Sequence, residues 1–167
     1  GPYSFTETNV TDKRVVMSDE LKAFIDFLKQ CPYVYLHGMK EQDELAKGMS
    51  AMDLFLCVYD AAKDMNASSN SQQLLEYLST GKTVVSTFIS NYAGTDWLTM
   101  CNDENDLPEL FNKVINNIDE YNSANNQKRR IAFALDNTYV KQIERIEKFI
   151  AMIQHKYHLK KYFLFLP

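Results

Sequence analysis

The order of segments in this 167-residue chain predicts an α/β fold, a parallel sheet with helices on both faces. Short apolar runs alternate with helical patterns about ten to fifteen residues long, the arrangement that joins parallel strands by right-handed crossovers. The run Leu54-Phe55-Leu56-Cys57-Val58-Tyr59 is apolar throughout instead of alternating, as strands covered on both faces tend to be. No internal repeat or low-complexity linker interrupts the pattern, so residues 1–167 are expected to form a single domain.

Residues 1–17 have no helical period and read as loop. Ser18 is placed to cap a helix that runs to about Gln30, with Asp19 and Glu20 in the first turn, where the helix dipole favours acids. Leu21, Phe24, Ile25 and Leu28 fall on one face, which predicts packing on a core. Pro32 follows. Tyr33–Gly38 reads as a strand ending in glycine, then a helix from about Glu41 to Ser50, then the strand Leu54–Tyr59. After a polar loop come a short helix, the strand Thr83–Thr87, an irregular segment around Tyr92–Trp97 and a weak strand at Leu98–Cys101. Leu110, Phe111, Val114, Ile115 and Ile118 mark an amphipathic helix that tolerates Pro108 in its first turn. A helical segment around Gln127–Leu135 ends at the break Asp136-Asn137-Thr138. The last helix then places Tyr139, Ile143, Ile146, Ile150 and Ile153 on one face.

Composition narrows the function. The formal net charge of −4 argues against a general nucleic-acid binder, although it does not exclude one nucleotide bound locally. Cys31, Cys57 and Cys101 are odd in number, widely spaced and set among apolar residues. They read as small buried hydrophobes in a reducing compartment, with neither a disulfide framework nor metal spacing. No apolar run approaches the roughly 20 residues of a membrane span, and the N-terminal residues show no signal-peptide core. A cytoplasmic protein is expected.

The stretch SSNSQQLLEYLSTGKTVVS, Ser68–Ser86, carries one carboxylate on a short helix. At 100° per residue, Leu74, Leu75 and Leu78 cluster on one side, expected to face the sheet, and Gln72, Gln73 and Glu76 on the other. Ligands of open α/β sheets sit in a crevice outside the carboxyl ends of the strands. The free N–H groups and positive dipole end of a first helical turn suit a phosphate there. Glu76 lies about 9 Å further along the axis than Asn70, near the level of the ribose of a nucleotide so placed. Its carboxylate then accepts hydrogen bonds from the ribose diol. Two plainer readings stand beside this one. Asn70 and Gln73 fit a relaxed capping box, and Glu76 fits an ordinary solvated helix acid.

The segments YVYLHG, AMDLFLCVYD, SNSQQLLEYLSTGKTVVST and NTYVKQIERIEKFI resemble the C-terminal, donor-binding domain of GT-B-fold glycosyltransferases, which is Rossmann-like. The most specific piece is LLEYLSTGKTVVST. The resemblance implies that Glu76 holds the donor ribose, and that Ser69, Asn70, Ser71, Gln72 and Gln73 hold the diphosphate. Gly38 and Tyr59, each at a predicted strand end, are further candidates for the pocket. It implies UDP or GDP as the nucleotide of a sugar-donor substrate, with no other cofactor and no metal. It also implies transfer to a glycan or lipid-linked acceptor in polysaccharide biosynthesis, and an N-terminal acceptor-binding half as partner, without which this chain is expected to be inactive. Catalytic residues are not assigned. Two departures stand out: Ser68 occupies the place of an acid common in retaining members, and Gln73 the place of a first-turn lysine found in some shorter relatives. The alternative they favour is a non-catalytic Rossmann-like nucleotide-binding or interaction module.

His155 and His158 share a helix spacing that can bind metal but have no third ligand near them in sequence. His37 reads as a packed histidine or a pocket wall. Asp60 joins Tyr59 at the end of a buried run, and Asn102–Asp106 is an acidic turn without a calcium-loop pattern. The tail from His155 to Pro167 mixes bases with aromatics. It suits packing on the missing half, or contact with the inner face of a membrane.

Overall fold

The computed structural model describes residues 18–59 and 72–157. The chain divides into two compact units, Gly1–Gly48 and Met49–Pro167, which are taken in turn.

In the first unit, helix α1 spans Asp19–Gln30. Ser18 is extended, and its hydroxyl accepts the Leu21 N–H at 3.2 Å, so the predicted cap forms. Ile25 is buried, but Phe24 stays 56% exposed, so the expected apolar face is only partly covered. Tyr33–Gly38 is not a strand. The chain turns at Pro32-Tyr33, the Val34 N–H donates to the Cys31 carbonyl, and Tyr33 is 90% exposed. An apolar pattern makes a strand only where a neighbouring backbone satisfies its N–H and C=O groups, and no described segment pairs with this one. Gly38 does adopt the left-handed conformation, φ +65°. Helix α2, Gln42–Ser50, carries the chain into the second unit.

The second unit is built on a three-stranded parallel sheet in the order β1 (Leu54–Cys57), β2 (Thr83–Ser86), β3 (Thr99–Met100). Leu54 pairs with Thr83 and Cys57 with Ser86; Val85 pairs with Thr99. All four residues of β2 are fully buried, and because alternate side chains point to opposite faces, both faces of that strand are covered. Helices α3 (Gln72–Ser79) and α4 (Leu107–Asn116) both pack against it. β1 is different: Leu56 and Val58 remain about half exposed, so the continuous apolar run overstated its burial. The run is also shorter as a strand than expected. Beyond Cys57 the Thr87 hydroxyl replaces ladder pairing, accepting the Tyr59 N–H at 3.0 Å and donating to the Tyr59 carbonyl at 3.1 Å.

Leu74 and Leu78 of α3, Val84 and Ile89 form the centre of the core, and Tyr77 stacks on Phe55 at 4.1 Å between ring centroids. Helix α3 packs along α6 (Ala124–Asp136). Asn122 clamps the strand starts, its carboxamide accepting the Thr83 N–H at 2.8 Å and donating to the Asp53 carbonyl at 2.6 Å. The helix expected through Ile118 breaks at Asn117, whose side chain donates to the Lys113 carbonyl, and resumes as the one-turn α5, Ile118–Tyr121. Helix α7, Tyr139–Tyr157, has the predicted apolar stripe, yet Tyr139, Ile143 and Ile146 are more than half exposed.

Gly81 links α3 to β2 and to α6. Its φ is +78°, and a Cβ there would lie 3.0 Å from the Gln127 Cβ and 3.1 Å from the Ile131 Cδ1. Gly81→Ala therefore adds left-handed strain to a clash, and a loss of about 2–4 kcal/mol is expected. For a domain of this size that lowers the melting temperature by roughly 5–15 °C. Urea and thermal unfolding of the variant measure it; an unchanged midpoint would refute the close approach of α6.

Candidate functional site

Because Leu74 and Leu78 anchor one side of α3, its opposite side is free to line a groove. Gln72, Leu75, Glu76 and Ser79 form one wall. The α6–α7 corner supplies the other wall, from Phe133 to Gln142, and Asn91-Tyr92, in the turn after β2, close one side. The volume is about 520 Å³, within the range of small-molecule sites.

Glu76 is partly buried in this groove instead of standing on a solvated face. The Tyr139 hydroxyl donates to Gln72 Oε1 at 2.9 Å, and Gln72 Nε2 donates to Glu76 Oε1 at 3.0 Å. This chain turns the carboxylate toward the groove and leaves Oε2 without a protein donor among the described residues. The other hydrogen-bonding groups are neutral. Asn137 is spent, donating to the Phe133 carbonyl and accepting from Gln142 and Arg145. The Ser79 hydroxyl donates to the Glu76 carbonyl. Among the described residues no lysine or arginine lines the groove. Nearby guanidinium groups are committed elsewhere: Arg145 to Asp136 at 2.5 Å, and Arg129 to Asp96 at 2.7 Å with its charge over the Trp97 ring. Arg130 is buried and donates to the Gly81 carbonyl at 3.0 Å; burial pulls its pKa down while Asp96 opposes the shift.

Of the residues singled out in the sequence, Gln72 and Glu76 meet in this groove. Gln73 does not join them. It lies about 100° round the helix from Gln72, and its amide donates to the Tyr77 hydroxyl at 2.5 Å. Leu75, expected to face the sheet, lines the groove, because the burial stripe of α3 is set by Leu74 and Leu78 one turn apart. Tyr59 does not line it and is held by Thr87. Ser68, Ser69, Asn70, Ser71, Asp60 and His158 lie outside the described residues. Gly38 and His37 belong to the first unit, where His37 borders a small cleft with Lys29, Val34, Tyr35 and Leu36. Gln142, Asn91 and Phe133 had no signal in the sequence, and Tyr139, expected on the apolar face of the last helix, instead bonds Gln72. The Asp136-Asn137-Thr138 break marked a corner in the chain, but nothing local says that the corner meets α3.

Among the described residues no cluster of His, Cys, Asp and Glu could hold a metal ion. The Cys57 and Cys101 thiols do not suit nucleophilic chemistry near neutral pH. Burial pushes the Cys57 thiol from 9.0 up to about 11, and also raises Cys101. Ser86 Oγ, at the carboxyl end of β2, is buried with no hydrogen-bond partner among the described residues.

The Cys57 shift predicts a pH dependence of stability. A thiol raised in the folded state stays protonated there while the unfolded chain loses its proton, so the stability it contributes is intact below the unfolded value of 9.0 and is lost as pH rises toward about 11. Two pKa units correspond to about 2.7 kcal/mol. The fall in unfolding free energy over that window should be smaller by up to this amount in Cys57→Ala, measured by urea titration at successive pH values. Parallel curves for the two proteins would contradict the buried thiol.

No protein-family model matches this chain, and neither a curated protein nor a solved structure matches it.

Proposed function

We propose that the chain is the donor-binding domain of a glycosyltransferase, taking a nucleotide diphosphate sugar with UDP or GDP as its nucleotide. The observation that carries this reading is Glu76, partly buried in a groove of ligand size and oriented by Gln72. A carboxylate held this way can accept charge-assisted hydrogen bonds from a ribose diol. The fold agrees: three successive strands lie side by side in chain order, as in the second half of a doubly wound sheet. The first turn of α3, whose N–H groups have no acceptor within the helix, is the proposed seat for the phosphates. Sugar transfer would then depend on an acceptor-binding half across the cleft, in a cytoplasmic enzyme acting on a glycan or lipid-linked acceptor. This half would contribute positioning and stabilisation of the departing diphosphate.

A second reading, a nucleotide-binding or interaction module without catalysis, is favoured by Gln73. Its amide is turned onto Tyr77 where a phosphate-binding lysine would serve an enzyme better. The two readings share the ligand and differ in turnover.

Glu76→Gln tests the shared part. The change keeps size and helix propensity, so stability should hardly move, while loss of a charge-assisted bond corresponds to about a ten- to hundredfold weaker affinity for UDP or GDP. A 2′-deoxy nucleotide should lose a similar factor against the native chain and little more against the variant. Calorimetric titration of both nucleotides against both proteins completes the cycle. Equal affinities in all four pairings would return Glu76 to the status of a surface acid.

A further inference from the structure

Glu76 is not aimed by its own helix alone. An ionised carboxylate can only accept hydrogen bonds, so Gln72 must turn its NH2 group toward Glu76 for their 3.0 Å bond to form. That leaves Gln72 Oε1 facing the other way, where the Tyr139 hydroxyl donates to it at 2.9 Å. The donors all run in one direction, from hydroxyl to amide to carboxylate, and bonds aligned in this way polarise and strengthen one another. Gln72 is itself exposed. Without the hydroxyl its long side chain loses the partner that fixes its amide and regains rotamer freedom.

Tyr139 is in turn held from behind. It is the first residue of α7, and the corner that presents it is braced. Asn137 accepts from Gln142 at 3.2 Å and from Arg145 at 3.3 Å, and Arg145 also pairs with Asp136 at 2.5 Å. These bonds tie the first two turns of α7 to the end of α6, which packs along α3. Tyr139 is 71% exposed, so removing its hydroxyl takes nothing from the core.

We propose that Tyr139 is a positioning residue of this groove. Acting through Gln72, it holds the Glu76 carboxylate in the orientation that meets the sugar hydroxyls, and so sets the preference for ribose over 2′-deoxyribose. The proposal rests on the nucleotide reading above. It goes beyond that reading by assigning the selectivity to a side chain on a different helix from the carboxylate it orients.

The test is Tyr139→Phe in the full chain, which removes the hydroxyl and keeps the ring. Calorimetric titration with UDP and GDP should show about three- to tenfold weaker affinity for the nucleotide that binds, while its 2′-deoxy counterpart changes by less than about twofold. The melting temperature should not move. Gln72→Leu should give a similar loss, and the double variant no more than either alone, because both interrupt one chain of bonds. In the Glu76→Gln background Tyr139→Phe should have no further effect. A Tyr139→Phe variant that keeps the native ratio of ribonucleotide to deoxynucleotide affinity overturns the proposal and leaves the nucleotide reading intact. If the native chain binds the two forms equally, or binds neither, the proposal and that reading fall together.

Discussion

The second unit depends on the complete burial of β2. A strand with Thr83, Val84, Val85 and Ser86 all removed from water must have its backbone groups paired on both sides and its side chains covered on both faces. β1 and β3 meet the first demand, each in parallel register. Parallel neighbours cannot be joined by tight turns, so the chain must cross over, and α3 is the crossover between β1 and β2. Leu74 and Leu78 then give β2 part of its cover. Asn122 sets the height at which β1 and β2 begin, since one carboxamide bonds the backbone of both.

The groove follows from that packing. Once Leu74 and Leu78 are turned to the core, helix geometry leaves Gln72, Leu75, Glu76 and Ser79 along the opposite flank. The second wall is placed by Gly81. Its missing side chain lets Gln127 and Ile131 of α6 come to contact distance, and its carbonyl receives the buried Arg130 guanidinium. A cation beside the last carbonyls of α3 also complements the negative end of that helix. With α6 held against α3 in this way, the corner at Asn137 brings Tyr139 within hydrogen-bond distance of Gln72. Glu76 is thus oriented by a residue 63 positions later in the chain (139 minus 76).

Charge distribution gives the groove its character as much as shape does. The arginines of α6 and α7 are used structurally, on Asp96, Trp97, Gly81 and Asp136. The groove wall facing α3 is therefore neutral although it is built from basic helices. Among the described residues the groove holds one carboxylate, Glu76, set among amides and apolar surface.

Local chemistry in the sequence determined a good deal: the Ser18 cap, the amphipathic period of α3 and the break before α7. Each is set by residues within a turn or two of one another, through propensity, capping and period. It also determined that Glu76 lies away from the core, since Leu74 and Leu78 leave it nowhere else. Tertiary structure decided the rest. Tyr33–Gly38 has a strand's pattern but no strand, because a strand needs a partner that pattern cannot supply. Leu75 is groove and not core, because a helix eight residues long needs only two leucines to hold it down. Gln73 went to Tyr77 instead of joining Gln72, and Tyr139, Asn91 and Phe133 entered the site from distant positions. Those outcomes depend on which surfaces meet across long separations in the chain, and the close packing that decides them has no local signature.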